Sequence, residues 1–379
     1  MRIVIAPDSF KECLSATQVA TAIYDGIKRI VPEVEITCIP MADGGEGTVD
    51  SLVEATCGKI IPISSVDALN RPIQSFYGIL GDGKTAVIEM SSASGIELLS
   101  VEERNPLITS TFGTGLIIKA AMEAGYTQII LGIGGSATND GGAGMAQALG
   151  FGLLDKNGNP IGLGGGSLDK LYSIDRSNAH PLLQNVSITV AGDVRNPLLG
   201  TSGATYVYGP QKGATPEMLE ILENNLAHFS LIMEQEFGHD FANIPGAGAA
   251  GGLGAGLMAF CNAEIVSGFE LINQRTHLEE HIMQASFVFT GEGKIDSQTA
   301  FGKTVSGVAQ LAKKHRIPVI ALGGMVADDL SKLYELGVTT VFAIGNQPMS
   351  LEESKVRASE LLTSTSEQIM RLITGFTGK

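Results

Sequence analysis

Five segments of this sequence place glycines beside side chains that could do chemistry, and each follows a run of residues that predicts a β-strand. Carboxylates in such segments can hold a hydrated cation or take a proton, and lysines can meet an anion. Glycines let the backbone approach a ligand closely. Together these groups suit phosphoryl transfer, which depends mostly on positioning and charge neutralisation. The segments are Asp8-Ser9-Phe10-Lys11, Asp43-Gly44-Gly45-Glu46-Gly47, Gly134-Gly135-Ser136-Ala137-Thr138-Asn139-Asp140, Gly192-Asp193 and Thr290-Gly291-Glu292-Gly293-Lys294-Ile295-Asp296.

The segment from Gly134 to Asp140 is the strongest of these signals. A predicted strand at residues 128–133 runs into it, and a predicted helix follows. Backbone amides at such a strand–helix junction suit a phosphate chain, and Asn139 or Asp140 could hold Mg²⁺. Close packing of the helix on the sheet would explain some of the glycines, but not the hydroxyls, the amide and the carboxylate together.

Two other segments bring cations and carboxylates together. Lys11 could meet an anionic substrate, and Asp8 and Ser9 could bind a hydroxyl or a hydrated metal. Lys294 and Asp296 supply a cation and a metal-competent carboxylate two residues apart. An ordinary turn with a helix cap is the structural alternative for Asp8 to Lys11, and the sequence leaves both interpretations open there.

Three further patterns match known motifs without the context that those motifs need. Gly302-Lys303-Thr304 has the end of a P-loop, but Ser297 stands where its first glycine should be. Gly246 to Gly251 matches GxGxxG, yet no convincing strand precedes it. His277 to His281 matches HxxEH, a zinc-protease pattern. No third ligand has a suitable spacing there, so two histidines on a solvated helix face is the favoured interpretation.

The elements that must position these segments alternate between strand and helix at both ends of the chain. Such alternation predicts a parallel sheet covered by helices on both faces. Ser15 to Gln18 is a capping-box pattern and predicts the start of the first helix. In the middle of the chain, residues 74–90 predict a hairpin that turns at residues 81–84, which is an antiparallel signal.

We therefore predict an α/β fold with two α/β domains. A doubly wound parallel-sheet domain, flavodoxin- or Rossmann-like, is made from both chain ends, residues 1–66 plus 265–379. A second, mixed α/β domain, residues 67–264, is inserted in it, and the active site is expected in the cleft between them. The insertion is favoured over two sequential domains cut near residue 200, because each chain end alone has too few strands for a sheet of about five.

Composition narrows the class of protein. The chain has 379 residues and a formal net charge of -15, and affinity for nucleic acid needs clustered Lys and Arg instead. No apolar run approaches the roughly 18 residues of a membrane span, and the apolar run at the N-terminus is too short for a signal peptide. The sequence thus predicts a cytoplasmic protein that acts on small molecules and binds neither nucleic acid nor a membrane. It does not decide whether the protein is a homodimer.

Taken in order, the segments resemble one family, the bacterial glycerate kinases of type 1. The resemblance is carried by residues 6–11, 40–48, 134–142, 192–194 with 196–198, and 290–296 with 298–299 and 302–304. It implies two α/β domains, one inserted in the other. It also implies phosphorylation of D-glycerate with ATP and Mg²⁺, with the 2-phosphate favoured over the 3-phosphate as product.

A mechanism that fits both the residues and the resemblance gives each segment a role. The substrate would be bound by Ser9, Lys11 and Arg71. The nucleotide would be bound through its phosphates by Gly134, Gly135, Ser136, Thr138 and Asn139. The metal ligands would be Asp43 and Asp296. The catalytic residues would be Lys294 and Asp193, with Asp193 as the base, although Asp43 and Asp193 could exchange the roles of metal ligand and base.

Other functions stay open on the sequence alone. One is a kinase for another small hydroxy acid or sugar acid. Another is an NAD-dependent oxidoreductase that uses the glycines from Gly246 to Gly251. A non-catalytic anion-binding module is a third, although several carboxylates at strand ends would repel its ligand.

Overall fold

The computed structural model describes residues 1–11, 13–42, 44–45, 47–300 and 304–377. Its strands are β1 (Arg2–Ile5), β2 (Glu35–Cys38), β3 (Lys59–Val66), β4 (Pro72–Ile79), β5 (Thr85–Glu89), β6 (Gln128–Gly132), β7 (Gly152–Leu154), β8 (Ser173–Asp175), β9 (Ser187–Ala191), β10 (Glu264–Val266), β11 (Phe287–Ile295), β12 (Val319–Val326) and β13 (Thr340–Ala343).

The α-helices are α1 (Ala16–Ile30), α2 (Thr48–Ala55), α3 (Ser91–Ser94), α4 (Phe112–Glu123), α5 (Ala143–Ala148), α6 (Ala204–Tyr208), α7 (Pro216–Phe237), α8 (Leu253–Cys261), α9 (Gly268–Thr276), α10 (Leu278–Met283), α11 (Thr304–Lys314), α12 (Ser331–Leu336) and α13 (Leu351–Thr377). Short 3₁₀ helices span Ile96–Leu98, Val101–Glu103, Gly165–Lys170, Pro181–Asn185 and Pro210–Lys212. In the part of the chain that the structure describes, no helix has the length and apolar character needed to cross a membrane.

The chain divides into two compact units. The terminal unit comprises Met1–Asp43, Asp50–Thr56 and Phe269–Lys379, and the central unit comprises Gly44–Val49 and Cys57–Gly268. The fold is α/β, with a parallel sheet made from both chain ends and a mixed sheet from the inserted middle, as the sequence predicts.

The sheet of the terminal unit has the order β13-β12-β11-β1-β2, and every neighbouring pair is parallel. Counted within the unit, this is the 2-1-3-4-5 order of flavodoxin-like sheets, in which the chain reverses its direction of travel beside the first strand. That switch point lies between β1 and β11, where Ile5 is opposite Phe289. Ligands in such folds bind beyond the carboxyl ends of the strands at the switch point.

Helix α1 packs on this sheet through a stripe of buried residues that includes Val19, Ile23 and Ile27. The predicted capping box starts it: the Ser15 hydroxyl accepts a hydrogen bond from the Gln18 amide, and the Gln18 side chain accepts one from the Ser15 amide. These bonds satisfy backbone donors that the first turn would otherwise leave unpaired.

The sheet of the central unit has the order β10-β9-β6-β5-β4-β3. Strands β5, β6, β9 and β10 are parallel, whereas β3, β4 and β5 form an antiparallel meander. The predicted hairpin is therefore present as β4 and β5. A separate small ribbon pairs β7 with β8.

Two predicted boundaries fall within or at the end of strands of the structure. The sequence predicts that a strand ends before the segment from Thr290 to Asp296. That prediction is wrong, because β12 extends alongside and keeps β11 paired as far as Ile295, opposite Val326. The predicted domain division at residues 66 and 67 stays a prediction. Strand β3, which it assigns to the terminal domain, pairs along its whole length with β4 in the central sheet.

Candidate active site

A cavity of about 650 Å³ opens beyond the carboxyl ends of the strands at the switch point of the terminal unit. Residues that follow β1 and residues at the end of β11 line it together, because the Asp8 amide donates to the Gly291 carbonyl at 2.8 Å and holds the two ends side by side. The predicted site residues Ser9, Lys11 and Lys294 all lie on its wall. We call this space the switch-point cavity.

Glu292 also lines the switch-point cavity, on the same strand as Lys294. Its Oε1 atom is buried and has no hydrogen-bond partner among the residues that the structure describes. Burial is the largest cause that raises the pKa of Glu292 to about 7. A hydrogen bond with Thr299 and the charge of Lys11 oppose the shift, and the charge of Asp8 adds to it. A carboxyl group whose pKa is about 7 can take or release a proton at neutral pH, so it is suited to exchange a proton with a substrate.

Lys294 and Asp296 form an ion pair, with Nζ 2.7 Å from Oδ2. The Asp296 Oδ1 atom accepts a further bond from the Gln298 amide at 2.8 Å. The hydrogen bond from Lys294 comes first among the causes that lower the pKa of Asp296, so this carboxyl group is ionised and its oxygens are available as hard ligands. Such oxygens suit Mg²⁺, which proteins usually hold with one or two carboxylates and the phosphates of a substrate.

The second predicted metal ligand, Asp43, lies outside the described residues. Within the described ranges no group of three or more His, Cys, Asp and Glu side chains could by itself hold a metal ion. The metal roles of Asp43 and Asp296 stay predictions.

The segment from Gly134 to Asp140, here called the 134–140 loop, lies at the carboxyl end of β6 in the central unit. Backbone bonds fix it on two sides: the Gly134 amide donates to the Gly44 carbonyl at 3.0 Å, and the Ala137 amide donates to the Ser94 carbonyl at 2.9 Å. Gly135 is exposed and has a φ of +73°, a left-handed conformation that glycine adopts without strain. The loop thus presents its glycine end to solvent.

The other end of the 134–140 loop is turned inward. Thr138 and Asn139 are fully buried, and the Asn139 Nδ2 atom donates to the Thr205 hydroxyl at 3.2 Å. Asp140 accepts bonds from the amides of Gly142 and Gly144 and from both the amide and the hydroxyl of Thr111. Burial is the first cause acting on Asp140 and raises its pKa. The bonds of Asn139 and Asp140 thus hold this end of the loop to its surroundings.

Lys212 completes this interior network and was missed by the sequence analysis. Its side chain is only 1% exposed, and its Nζ atom donates to the Ser136 hydroxyl and to the Thr138 carbonyl, each at 2.6 Å. Burial lowers the pKa of Lys212 to about 7, and the charge of Asp140 opposes that shift. Nothing in its local sequence, a short Pro-Gln-Lys-Gly turn, signals that it reaches the loop.

Close packing between segments explains part of the glycine content of these loops. A Cβ on Gly44 would collide with the Ala191 carbonyl, and a Cβ on Gly134 would lie 2.5 Å from the Gly45 Cα. The segment Gly44-Gly45 can therefore reach the ends of β6 and β9 only because these positions carry no side chain.

Asp193 and Arg71 lie in the central unit, and both have partners. The Asp193 Oδ1 atom accepts a bond from the Gly268 amide at 3.0 Å, just beyond the end of β9. The Arg71 guanidinium bridges Asp67 and Glu103, and the hydrogen bond to Glu103 is the first cause that raises its pKa. The catalytic role of Asp193 and the substrate role of Arg71 stay predictions.

The motif-like patterns have structural explanations. Gly246 to Gly251 follows no strand in the described chain, and a Cβ on Gly248 would collide with the Pro197 carbonyl. His277 has a φ of +54° and precedes α10, so it does not share a helix face with His281, contrary to the sequence-based interpretation. Of the P-loop-like tail, Gly302 and Lys303 lie outside the described residues.

The fold and these loops define an α/β enzyme whose polar groups gather at the carboxyl ends of parallel strands. The sequence profile of the glycerate kinase family matches residues 3–374. The chain is 51% identical to a glycerate kinase of Halalkalibacterium halodurans and 48% identical to the glycerate 2-kinase of Escherichia coli K12, in each case over 97% of both chains. A solved structure named glycerate kinase 2, from Salmonella typhimurium LT2, superposes with a TM-score of 0.89 at 44% identity and covers 100% of this chain and 99% of its own.

The chain belongs to the glycerate kinase family. The resemblance noted in the sequence is thereby confirmed, and so is the assignment to the phosphotransferases.

Proposed function

We propose that this enzyme transfers the γ-phosphoryl group of ATP to the 2-hydroxyl of D-glycerate, with Mg²⁺ as the metal. The observation that carries the proposal is the switch-point cavity, where Ser9, Lys11 and Lys294 meet the buried carboxyl group of Glu292. The 2-phosphate is preferred because a relative of nearly full length carries the name glycerate 2-kinase.

The substrate groups are assigned by charge. The Lys11 ammonium attracts the glycerate carboxylate, and the Ser9 hydroxyl can bond to a substrate hydroxyl, since it can both donate and accept. Arg71 is the second candidate for the carboxylate. Its guanidinium already binds Asp67 and Glu103, so it would have to share its donors with the substrate.

The ATP phosphates are assigned to the glycine end of the 134–140 loop. Gly134, Gly135 and Ser136 offer backbone amides and a hydroxyl where the chain leaves β6 for α5, and such a junction attracts anions. Thr138 and Asn139 lie behind this end with fully buried side chains, and Asn139 helps to hold the loop through its bond to the Thr205 hydroxyl.

Asp193 is the proposed base for the acceptor hydroxyl, and Glu292 is the second candidate. Either carboxylate would take the hydroxyl proton as the oxygen attacks phosphorus. The base contributes less than positioning does, because a loose phosphoryl transition state needs little activation of the nucleophile. Lys294 would neutralise charge on the transferred group.

The metal would be held by the carboxylates of Asp296 and Asp43 together with the nucleotide phosphates. When bound there, Mg²⁺ would neutralise charge on those phosphates. Asp296 is kept ionised and oriented for this role by Lys294 and by the Gln298 amide.

A second candidate function is phosphorylation of a larger hydroxy acid or sugar acid. The observation in its favour is the volume of the switch-point cavity, about 650 Å³. That volume falls within the roughly 300–1,000 Å³ typical of pockets for much larger ligands than a three-carbon acid.

One experiment separates these candidates. The enzyme is given ATP, Mg²⁺ and a panel of hydroxy acids and sugar acids, and ADP release is measured for each. The proposal expects D-glycerate to have the highest kcat/KM, and a higher value for a longer acid would favour the second candidate. Coupling the product to enolase without a mutase then tests the position of the phosphate, because enolase consumes only the 2-phosphate directly.

A further inference from the structure

Lys212 is a lysine buried where lysine is seldom found. Its side chain is 1% exposed, and it lies 76 residues from Ser136 and 74 from Thr138, the two residues to which its ammonium donates. Removing an ammonium group from water is costly unless it is well paired. The two bonds of 2.6 Å and the charge of the buried Asp140 offset part of that cost.

The bond to Ser136 leaves the serine hydroxyl with a defined direction. A hydroxyl has one hydrogen to donate and two acceptor sites. The Lys212 ammonium occupies an acceptor site on Ser136 Oγ. The serine hydrogen can therefore be donated to an anion at the glycine end of the 134–140 loop. A charged donor behind the hydroxyl also strengthens the bond that the hydroxyl makes in turn.

Two buried polar atoms near Lys212 lack hydrogen-bond partners among the residues that the structure describes. Thr138 Oγ1 and Asn139 Oδ1 are buried and have no hydrogen-bond partner in the described part of the chain. Native proteins leave few such atoms unpaired. The hydroxyl of Thr138 therefore does not help to hold this end of the loop, whereas the two bonds from Lys212 hold Ser136 Oγ and the Thr138 carbonyl directly.

The structure assigns Lys212 as a positioning residue for the nucleotide: through Ser136 it shapes and polarises the 134–140 loop for a phosphate group. This inference rests on the proposed function of that loop. The alternative is that Lys212 stabilises the central unit and has no effect on binding.

The test compares Lys212→Met with the matched control Lys170→Met, which removes an exposed lysine from the same unit. Lys212→Met is expected to raise the KM for ATP about tenfold to a hundredfold, as for the loss of a charged hydrogen bond, while the KM for glycerate changes less than about twofold. The control should change neither constant. An unchanged KM for ATP, or an equal rise in both constants, would overturn the assignment.

Ser136→Ala provides the second measurement, and it suffices alone if Lys212→Met does not fold. It is expected to raise the KM for ATP more than the KM for glycerate, and an unaltered KM for ATP would overturn the inference. In the double variant the two effects should be less than additive, because both act through one hydroxyl. Fully additive effects would show that Lys212 does not act through the Ser136 hydroxyl.

A third variant distinguishes this inference from the proposed function. Gly135→Ala places a side chain at the exposed, left-handed position of the loop. If it raises the KM for ATP while Lys212→Met and Ser136→Ala do not, only the role of Lys212 is lost. If none of the three raises it, the loop does not bind the nucleotide, and both proposals are wrong.

Discussion

The amide of Gly134 donates a hydrogen bond of 3.0 Å to the carbonyl of Gly44, so two glycine-rich segments far apart in the sequence meet backbone to backbone. The contact leaves no room for a side chain at either position. The glycines that suggest a ligand site in the sequence therefore bring the two segments together, and the backbone proposed to bind the nucleotide is placed by that approach.

Gly134→Ala should lower both stability and activity. Its Cβ would lie 2.5 Å from the Gly45 Cα, and overpacking of this kind costs about 1–3 kcal/mol. Thermal unfolding and kcat/KM measure the two effects. Gly375→Ala is the control, because nothing lies within 4 Å of a Cβ there. Wild-type behaviour of Gly134→Ala would show that the two segments can separate without penalty.

Asp193→Asn should reduce kcat by a factor of about 100 or more if Asp193 is the base. The substitution keeps the shape of the side chain and an oxygen that can accept the Gly268 amide, so the fold should be retained. Single-turnover kinetics would measure the loss on the chemical step. Near-normal turnover would remove Asp193 from this role and leave Glu292 and Asp43 as candidates.

Glu292→Gln should stabilise the protein at pH 8 but not at pH 4. Burial raises the pKa of Glu292 from 4.5 to about 7, so the folded state holds a proton that the unfolded chain has lost between these values. Stability therefore falls as the pH rises from about 4.5 to about 7 and remains lowered above that range. The amide avoids this loss because it does not ionise.

Melting temperatures of wild type and Glu292→Gln across pH 4–8 would test this. The exposed Glu335, changed to Gln, is the control and should show no such trend. A difference in melting temperature that does not grow with pH would mean that Glu292 ionises as readily in the fold as in the unfolded chain.

Asp296→Asn should raise the Mg²⁺ concentration needed for half-maximal activity severalfold and leave the melting temperature nearly unchanged. The pair with Lys294 lies at the surface, with the lysine side chain 58% exposed, and such pairs contribute little to stability. Titrating Mg²⁺ at saturating ATP measures the effect, with Asp328→Asn as an exposed control. An identical Mg²⁺ requirement would place the metal elsewhere.

Much of the fold was predictable because the signals are local. The capping box at Ser15 and Gln18 and the hairpin of β4 and β5 depend on residues close together in the chain. The candidate loops were recognisable for the same reason, since a glycine-rich segment after a β-branched run is visible in one stretch of sequence.

The features that escaped prediction depend on distant partners. Lys212 is an ordinary lysine until the fold buries it beside Ser136, 76 residues away. Glu292 stands in a recognised segment, but the sequence did not predict that it lies within β11, opposite Gly323, or that burial raises its pKa. Burial and long-range pairing are properties of the assembled sheet, and a pattern of residue types does not contain them.

The position of β1 has a consequence for the synthesis of the protein. Strand β1 lies inside its sheet, between β2 and β11, and Thr290, which donates a hydrogen bond to the Ala6 carbonyl, is synthesised 284 residues later. At roughly 5–20 residues per second, that delay is on the order of tens of seconds. During that interval β1 can pair with β2, but its other edge has no neighbour, whereas the last strand of the central sheet, β10, is complete before synthesis of β11 begins. The sheet of the terminal unit can therefore be completed only after the strands of the central sheet have been synthesised.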